Sequence, residues 1–149
     1  MMNFMKKIVD LLRKKPKQQV SAAVAYIQNK DGKILVVWNK RYGRWGLAGG
    51  RIEENETPEH AVTREIYEET GLVAKKCYLR YEGAHEESVA STRGSYIYFF
   101  EVIVHDKEPK EMEPGCPVTW FWPDEFMRWG LARKFYSNAF RHIHHLNTY

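Results

Sequence analysis

The amino-acid sequence predicts an α/β fold in which helices cover both faces of a mixed β-sheet. Runs rich in β-branched and aromatic residues recur between turn residues along the chain, as is typical of strands. Segments with helical periodicity precede, interrupt and follow these runs, and that order favours helices packed on both sides of one sheet. The length of 149 residues suits one domain with one core, and the sequence contains no internal repeat.

The first 17 residues predict a basic amphipathic helix that is part of the same domain as residues 18–149. Apolar residues recur at helical spacing within residues 3–15, and Pro16 ends the pattern. This segment carries six basic side chains and one acid, whereas the rest of the chain carries 17 basic and 18 acidic residues. We expect the helix to dock on the domain, and an arm that binds a membrane surface or nucleic acid is the alternative.

Two strands, a glycine-rich loop and a helix are predicted next. The Asp31-Gly32 pair is a strong hairpin signal between apolar runs at 20–29 and 33–39, both of which we expect to be strands. Residues 41–50 are rich in glycine and aromatic residues and predict a loop with at most a short strand. A helix is predicted at about 58–70, with Thr57 as its cap, Pro58 in its first turn, Gly71 just past its end, and Val62 and Ile66 on the core.

The remainder of the chain predicts further strands and two helices. In order, we expect one or two strands within 72–86, a long strand at 95–106, a charged loop at 106–117, a strand at 118–122, a short helix from Pro123 through about Met127, and a terminal helix at 132–146 whose apolar side includes Phe135, Phe140 and Ile143.

Bulk properties exclude several classes of protein. No apolar run reaches the roughly 20 residues that span a bilayer, so we expect no membrane association. Lysines and an aspartate interrupt the N-terminal apolar residues, which is unlike a secretory signal. Cys77 and Cys116 are too few for a disulfide framework and lack zinc-finger spacing. We therefore expect a cytoplasmic protein.

The stretch "REIYEETGL" crowds three acids onto one part of the predicted helix. Glu65 is three and four residues from Glu68 and Glu69, and side chains at these spacings are neighbours on a helix surface. Like charges so placed destabilise a helix, and Arg64 can offset only one of them, by pairing with Glu68. Either the acids form a solvated surface, or a cation binds among them.

The 23 residues from Gly50 to Leu72, "GRIEENETPEHAVTREIYEETGL", resemble the Nudix box, the signature of the Nudix hydrolases. Every defining position of that pattern is filled, and the preceding "WGLAGG" extends the match, although Ala48 stands where many members have proline. The resemblance implies an α/β/α sandwich with a central mixed sheet, and hydrolysis of a nucleoside diphosphate linked to another group. It also implies dependence on Mg²⁺, for which Mn²⁺ is the expected substitute.

The resemblance also implies roles for the acidic residues. Glu65 and Glu69 are expected to bind the metal ion, with Glu68 as a third ligand or as a residue that orients the attacking water. Glu56 is expected either to join the metal shell or to pair with Arg64, which would orient the carboxylates. A backbone carbonyl at or near Gly50 is a further expected ligand. These acids make chemical sense together, because Mg²⁺ prefers oxygen ligands and a pyrophosphate bridge repels an anionic nucleophile.

The general base and the substrate contacts are less closely defined by the sequence. The base is expected to be a glutamate of the box or an acid on an outside loop, where the candidates are Glu86, Glu87, Glu111 and the preferred Glu113. Trp45 and Tyr42, in the segment that leads to the box, are expected to stack on the base of the substrate. Lys40, Arg41 and Arg44 are expected to contact its phosphates.

The resulting functional hypothesis is a Mg²⁺-dependent pyrophosphohydrolase acting on a nucleoside triphosphate and releasing a monophosphate and pyrophosphate. ADP-ribose or a dinucleoside polyphosphate is the alternative substrate, and nucleoside sugars and capped RNA stay open. A non-catalytic nucleotide-binding module and a polyanion-binding protein that acts through the basic N-terminus are the competing classes. We expect a monomer or a homodimer.

Overall fold

The computed structural model describes residues 4–6, 20–85, 95–130 and 133–147. Six strands form one sheet in the order β4-β5-β1-β3-β2-β6, in which β1 and β5 are parallel and the other neighbours antiparallel. The strands are β1 Val20–Tyr26, β2 Ile34–Asn39, β3 Arg44–Arg51, β4 Ala74–His85, β5 Ser95–Val104 and β6 Val118–Phe121, and the helices are α1 Pro58–Thr70, α2 Pro123–Trp129 and α3 Arg133–Asn147. The predicted mixed sheet and α/β class are confirmed.

Each face of the sheet has its own apolar core. Alternate residues of β1 point to opposite faces, so Ala25 packs on the side of α1 and Tyr26 on the side of α2 and α3. The first core includes Val62 and Ile66, and the second includes Phe126, Phe135, Phe140 and Ile143, all of them buried. Helices therefore cover both faces, and the predicted core residues of α1 and α3 are confirmed.

Helix α1 begins and ends where the sequence predicts. The hydroxyl of Thr57 accepts a hydrogen bond from His60 N at 3.1 Å, and Pro58 occupies the first turn. At the other end Gly71 adopts φ +74°, a left-handed conformation that favours glycine, and its N–H donates to Tyr67 O at 2.9 Å. These caps fix the helix over the sheet and thereby fix the direction of its acidic last two turns.

The prediction of a loop at residues 41–50 is wrong, because most of this segment forms the central strand β3. Its first half pairs with β2, as in Leu47 opposite Val36, and its second half pairs with β1, as in Ala48 opposite Ala25. A side chain at Gly49 would collide with Ala23 O and lie 2.7 Å from Val24 Cα. The glycine therefore permits close pairing of two strands, which composition alone does not distinguish from a loop.

Both predicted strands and the turn between them are present, but the two strands are not neighbours in the sheet. The turn at Asp31-Gly32 is closed by hydrogen bonds from Asn29 N to Lys33 O at 2.8 Å and from Gly32 N to Asn29 O at 3.1 Å. Contact between the two strands then stops after Leu35 N donates to Ile27 O, since β3 lies between β1 and β2 in the sheet. A short-range turn signal carries no information about a third strand inserted from later in the chain.

Several predictions lie partly or wholly outside the described residues. Of the predicted N-terminal helix, only residues 4–6 are described; they are helical, and Phe4 and Met5 are exposed. Glu86 and Glu87, two of the base candidates, are not among the described residues. Within the ranges given above, no helix is both long enough and apolar enough to cross a bilayer.

Candidate active site

The acidic face of α1 lies against the glycine-rich end of β3. A Cβ atom placed on Gly50 would be 2.7 Å from Glu65 Oε1 and 2.8 Å from its Cδ, so the carboxylate occupies the space that a side chain would need. One turn later, Glu69 Oε2 accepts a hydrogen bond from Gly49 N at 3.2 Å. The two predicted metal ligands thus face the same strand, one held by its N–H and the other packed on its α-carbon.

The carboxyl of Glu69 is difficult to ionise in this setting. Burial raises the pKa of Glu69 to about 9, and the charge of Glu65 and a hydrogen bond between the two carboxyls add to the effect, as does the charge of Glu113. The hydrogen bond from Gly49 acts in the opposite direction and is outweighed. The folded protein therefore binds a proton here at neutral pH when no cation is present.

Arg64 forms hydrogen bonds with three acids, Glu56, Glu65 and Glu68. Its guanidinium donates two hydrogen bonds to Glu56, from Nε to Oε2 at 2.7 Å and from Nη2 to Oε1 at 3.0 Å. Nη1 donates to Glu65 Oε1 at 2.9 Å and to Glu68 Oε2 at 3.2 Å, and Nη2 also reaches Arg51 O at 3.1 Å. The planar fork of arginine makes this possible, because lysine could not present donors in so many directions.

Glu56 serves as the anchor of this arginine in the structure. Its side chain is only 8% exposed, and besides the two bonds from Arg64 it accepts one from Glu53 N at 3.0 Å. Hydrogen bonds to Arg64 and to that N–H lower the pKa of Glu56 to about 2, and the same pairing raises the pKa of Arg64. Of the two sequence alternatives for Glu56, the structure displays the pairing with arginine.

The acids have the right chemistry for a divalent cation, but their side chains are not already arranged around one. In the described ranges, no three acidic, histidine or cysteine side chains are gathered about a single point. The contacts explain this, since Arg64 holds Glu68 and one oxygen of Glu65. The fit rests on the donor set, because carboxylate oxygens are the ligands that Mg²⁺ prefers. Burial and the charge of Glu65 raise the pKa of Glu69, and a dication beside its carboxyl would favour the ionised form.

A cleft of about 270 Å³ adjoins the acids. Glu69 and Glu113 lie in its wall, and Glu113 is held by the loop before β6, where its Oε2 accepts from Cys116 Sγ at 3.7 Å and its backbone O accepts from Cys116 N at 3.0 Å. The structure therefore brings the preferred base candidate to the same cleft as a predicted metal ligand. The lining residues are Val37, Trp38, Asn39, Lys40, Arg41, Gly46, Leu47, Gly49, Glu69, Glu113 and Cys116.

The predicted substrate contacts divide into two groups. Lys40 and Arg41 line the cleft, whereas Trp45, Tyr42 and Arg44 are not among its lining residues. The indole of Trp45 packs edge-on against the rings of Trp38 and Phe121, with ring centroids 5.2 Å and 5.3 Å apart respectively. It also contacts the core on the α2 and α3 side. Tyr42 and Arg44 are exposed at the turn between β2 and β3.

Sequence reasoning missed two polar residues of the cleft. Asn39 ends β2, and its Oδ1 accepts a hydrogen bond from Tyr42 N at 3.1 Å, which leaves its amide N–H groups as the donors available to a ligand. Cys116 is buried beside Glu113. A polar residue directly after an apolar strand was the available signal for Asn39, whereas nothing in the sequence distinguished Cys116.

Comparison with known proteins agrees with this geometry. An 8-oxo-dGTP diphosphatase from Proteus vulgaris is 37% identical over 106 residues, which cover 68% of this chain and 92% of that protein. An RNA pyrophosphohydrolase from Aeromonas hydrophila subsp. hydrophila is 50% identical over 48 residues, a match that spans 31% of this chain and only 26% of the relative. The crystal structure of a MutT NUDIX hydrolase from Burkholderia pseudomallei has 29% sequence identity and a TM-score of 0.63, and the match covers 72% of this chain and 86% of that one.

The family assignment follows from the extent of the match. A family model for the NUDIX domain matches residues 17–144, a range that contains the whole sheet, all three helices except the last residues of α3, and the acids around Arg64. Because fold, acidic helix and matched range coincide, we conclude that this chain belongs to the Nudix family of hydrolases.

Proposed function

We propose that the enzyme is a divalent-cation-dependent pyrophosphohydrolase of nucleoside triphosphates, releasing a nucleoside monophosphate and pyrophosphate. The observation that carries the proposal is the division of charge in one cleft, with Glu69 and Glu113 in one part of its wall and Lys40 and Arg41 in another. A polyphosphate chain is anionic, so it can pair with the cationic side chains and with a cation held by the acids. Similarity to an 8-oxo-dGTP diphosphatase along most of that protein's length supports a nucleotide of this class.

The acids of α1 would hold the cation, which we expect to be Mg²⁺, with Mn²⁺ as a substitute. Glu65 and Glu69 are the proposed principal ligands, with Glu68 and the backbone carbonyl of Gly50 as further oxygen donors. When bound, the cation neutralises phosphate oxygens and acidifies a bound water molecule. Glu56 is proposed to act indirectly, by holding Arg64, because both of its carboxylate oxygens accept hydrogen bonds from that arginine.

The protein's own side chains then have separate tasks. Arg64 fixes the positions of Glu65 and Glu68 and so orients the ligands. Glu113 is the proposed general base that accepts a proton from the attacking water, since it faces the cleft from outside the helix. Lys40 and Arg41 are proposed to bind phosphate oxygens away from the acids. Trp45 supports this wall through its packing on Trp38.

Two other readings make different predictions. ADP-ribose would yield AMP and ribose 5-phosphate, and a dinucleoside polyphosphate would yield two nucleotides, in neither case with free pyrophosphate. A non-catalytic module would bind a nucleotide without consuming it. The presence of Glu56, Glu65 and Glu68 around Arg64, with Glu69 beside Gly49, favours an enzyme over a binding module.

The deciding experiment is a screen of nucleoside triphosphates, ADP-ribose and dinucleoside polyphosphates with Mg²⁺, with products separated by ion-exchange chromatography. We expect monophosphate and pyrophosphate in equal amounts. Glu69→Gln should lower kcat at least about 100-fold, because it removes a ligand to the cation. Glu59→Gln is the matched control, since Glu59 is an exposed acid in the first turn of the same helix. Turnover that survives in Glu69→Gln, or a complete lack of consumption in wild type, would contradict the proposal.

A further inference from the structure

The segment before β6 makes a tight turn at Glu113-Pro114-Gly115-Cys116. The backbone N–H of Cys116 donates to Glu113 O at 3.0 Å, and Gly115 adopts φ +79°. The ring of Pro114 fixes its own φ near about −65°, so the signs of the two central φ angles are those of a type II β-turn. We call these four residues the 113–116 turn.

Both ends of the segment are fixed to elements that carry the cleft. On one side, Lys110 N donates to Thr70 O at the end of α1, at 3.0 Å. On the other side, Trp38 N of β2 donates to Pro117 O at 2.9 Å, and Cys116 is buried in the core on the α1 side. The turn is therefore held in place between the acidic helix and the strand that leads into the cleft.

Within the turn, a buried side chain holds an exposed one. Glu113 is exposed, and its Oε2 accepts a hydrogen bond from the thiol of Cys116, with Sγ at 3.7 Å. An exposed glutamate has many rotamers, and only those that face the cleft would let it accept a proton from water. A donor that is itself fixed in the core selects among these rotamers. The thiol is thus suited to orient the carboxylate.

The turn also contacts the side chain of Lys40. A Cβ atom placed on Gly115 would be 2.6 Å from Lys40 Cε and 3.1 Å from its Nζ, so the lysine occupies the space that a side chain would need. This position therefore favours glycine for two reasons, namely its left-handed φ and the close approach of the lysine. Within the part of the chain that the structure describes, no ion pair joins Lys40 to Glu113. Each charge stays available to a substrate.

We propose that the 113–116 turn positions two groups of the active site. Cys116 orients the carboxylate of Glu113, and Gly115 leaves the space in which the ammonium group of Lys40 lies. Both are positioning residues, because each acts through a neighbouring side chain. The proposal rests on the proposed pyrophosphohydrolase activity, in which Glu113 accepts a proton from the attacking water and Lys40 binds a phosphate oxygen. It adds that one turn sets the relative position of these two groups.

Two substitutions of Cys116 test its role, with the triphosphate that wild type hydrolyses fastest as substrate. Serine keeps a donor and alanine does not, so Cys116→Ala should lower kcat about tenfold with KM within about twofold, and Cys116→Ser should lower kcat by no more than about threefold. If Cys116 only fills the core, alanine is the better replacement, because a buried hydroxyl is less favourable there than a methyl group. A kcat of Cys116→Ala equal to or above that of Cys116→Ser would overturn this role.

The same substitution in a second background separates positioning from packing. In Glu113→Gln protein, whose proposed base is already lost, Cys116→Ala should cause no further fall in kcat. A further tenfold fall would show that the thiol acts on something other than Glu113, and would contradict the proposal.

Gly115→Ala tests the contact with Lys40. The added methyl group would displace the ammonium group, so KM should rise about fivefold while kcat changes less. Gly32→Ala is the matched control, since Gly32 also has a left-handed φ, +92°, and a methyl group there would lie 3.6 Å or more from its neighbours. Its KM should equal that of wild type. In Lys40→Ala protein, Gly115→Ala should not raise KM further, and an additive rise would overturn the role of Gly115.

Failure of this proposal and failure of the proposed function give different results. If triphosphates are hydrolysed and neither Cys116→Ala nor Gly115→Ala alters the kinetics, the turn proposal is overturned while the activity stands. If no triphosphate is consumed, the proposed function fails, and infrared spectroscopy decides the turn. Cys77→Ala leaves Cys116 as the remaining thiol of the chain. Because a hydrogen bond lowers the S–H stretching frequency, Glu113→Ala in that protein should raise it, and an unchanged frequency would refute the proposal.

Discussion

The carboxylate of Glu65 rests on the α-carbon of Gly50, so closely that a methyl group at Gly50 would come within 2.7 Å of Glu65 Oε1. Glycine is needed at this position for space, and its backbone has no left-handed φ. The contact couples the strand to the helix at the point where the cation is proposed to bind. A substitution at Gly50 should therefore first displace the carboxylate of Glu65.

We expect Gly50→Ala to lower kcat/KM at least about tenfold, because Glu65 must move by tenths of an ångström or more and positioning residues around metal sites typically matter at that scale. The added methyl meets the far end of a side chain, so stability should fall by no more than about 2 kcal/mol. Steady-state kinetics and chemical denaturation measure the two effects. Gly83→Ala is the control, since a methyl there makes ordinary contacts of 3.4 Å or longer with Tyr81.

Arg64→Lys tests whether the arginine acts through the carboxylates it holds. Lysine keeps the charge but cannot bond both oxygens of Glu56 while also reaching Glu65 and Glu68. We expect the apparent affinity for Mg²⁺ in the hydrolysis assay to fall about 10-fold to 100-fold, with a smaller effect on KM for the nucleotide. Arg51→Lys is the comparison, because Arg51 contributes only its backbone oxygen to Arg64. An equal loss in both variants would contradict the role assigned to Arg64.

Glu113→Gln examines the proposed base. Glutamine is neutral and cannot accept the proton of the attacking water. We therefore expect kcat to fall about 100-fold and the acidic limb of the pH–rate profile to change. Glu111→Gln removes an exposed acid two residues away that is not among the lining residues of the cleft. Its kcat should stay within about twofold of wild type. If the two variants behave alike, Glu113 is an ordinary surface acid and another acid is the base.

The acidic helix was predictable from sequence because all its information is local. Thr57, Pro58 and Gly71 mark its ends, and the spacing of Glu65 and Glu69 fixes their shared face. The cleft was only partly predictable, because its walls come from β2, β3 and the loop before β6. Lys40 lies in its wall, whereas the ring of Trp45 packs against Trp38 and Phe121 and contacts the core on the α2 and α3 side. Sequence order places residues near the box without stating which face of the sheet they occupy.

Glycine composition misled the prediction of β3 for a related reason. A run such as "GLAGG" has the local signature of a turn. Here Gly49 allows β1 to pair closely, and Gly50 makes room for a carboxylate from the helix. Both needs arise from residues 15 to 26 positions away, namely Ala23, Val24 and Glu65. Such requirements become visible only when the neighbouring elements are in place.

The raised pKa of Glu69 predicts an unusual dependence of stability on pH. Its carboxyl has an ordinary pKa of 4.5, raised to about 9 in the folded protein by burial and by Glu65. Between these values the folded state, without a divalent cation, holds a proton that the unfolded chain has released. The contribution of the protonated Glu69 to the free energy of unfolding is thus fully present below about pH 4.5. It declines as pH rises toward 9, by at most about 1.4 kcal/mol per pH unit.

Denaturation in EDTA at pH 5.5, 7 and 8.5 measures this slope. Glu69→Gln stays uncharged throughout, so its stability should decline less with pH than that of wild type, and its advantage should grow toward pH 8.5. Glu59→Gln, an exposed acid on the same helix, should keep the wild-type slope. Adding Mg²⁺ should flatten the slope of the wild-type protein only, since a dication among the carboxylates favours their ionised form. A wild-type slope that persists in Glu69→Gln would mean that the dependence of stability on pH arises from a group other than Glu69.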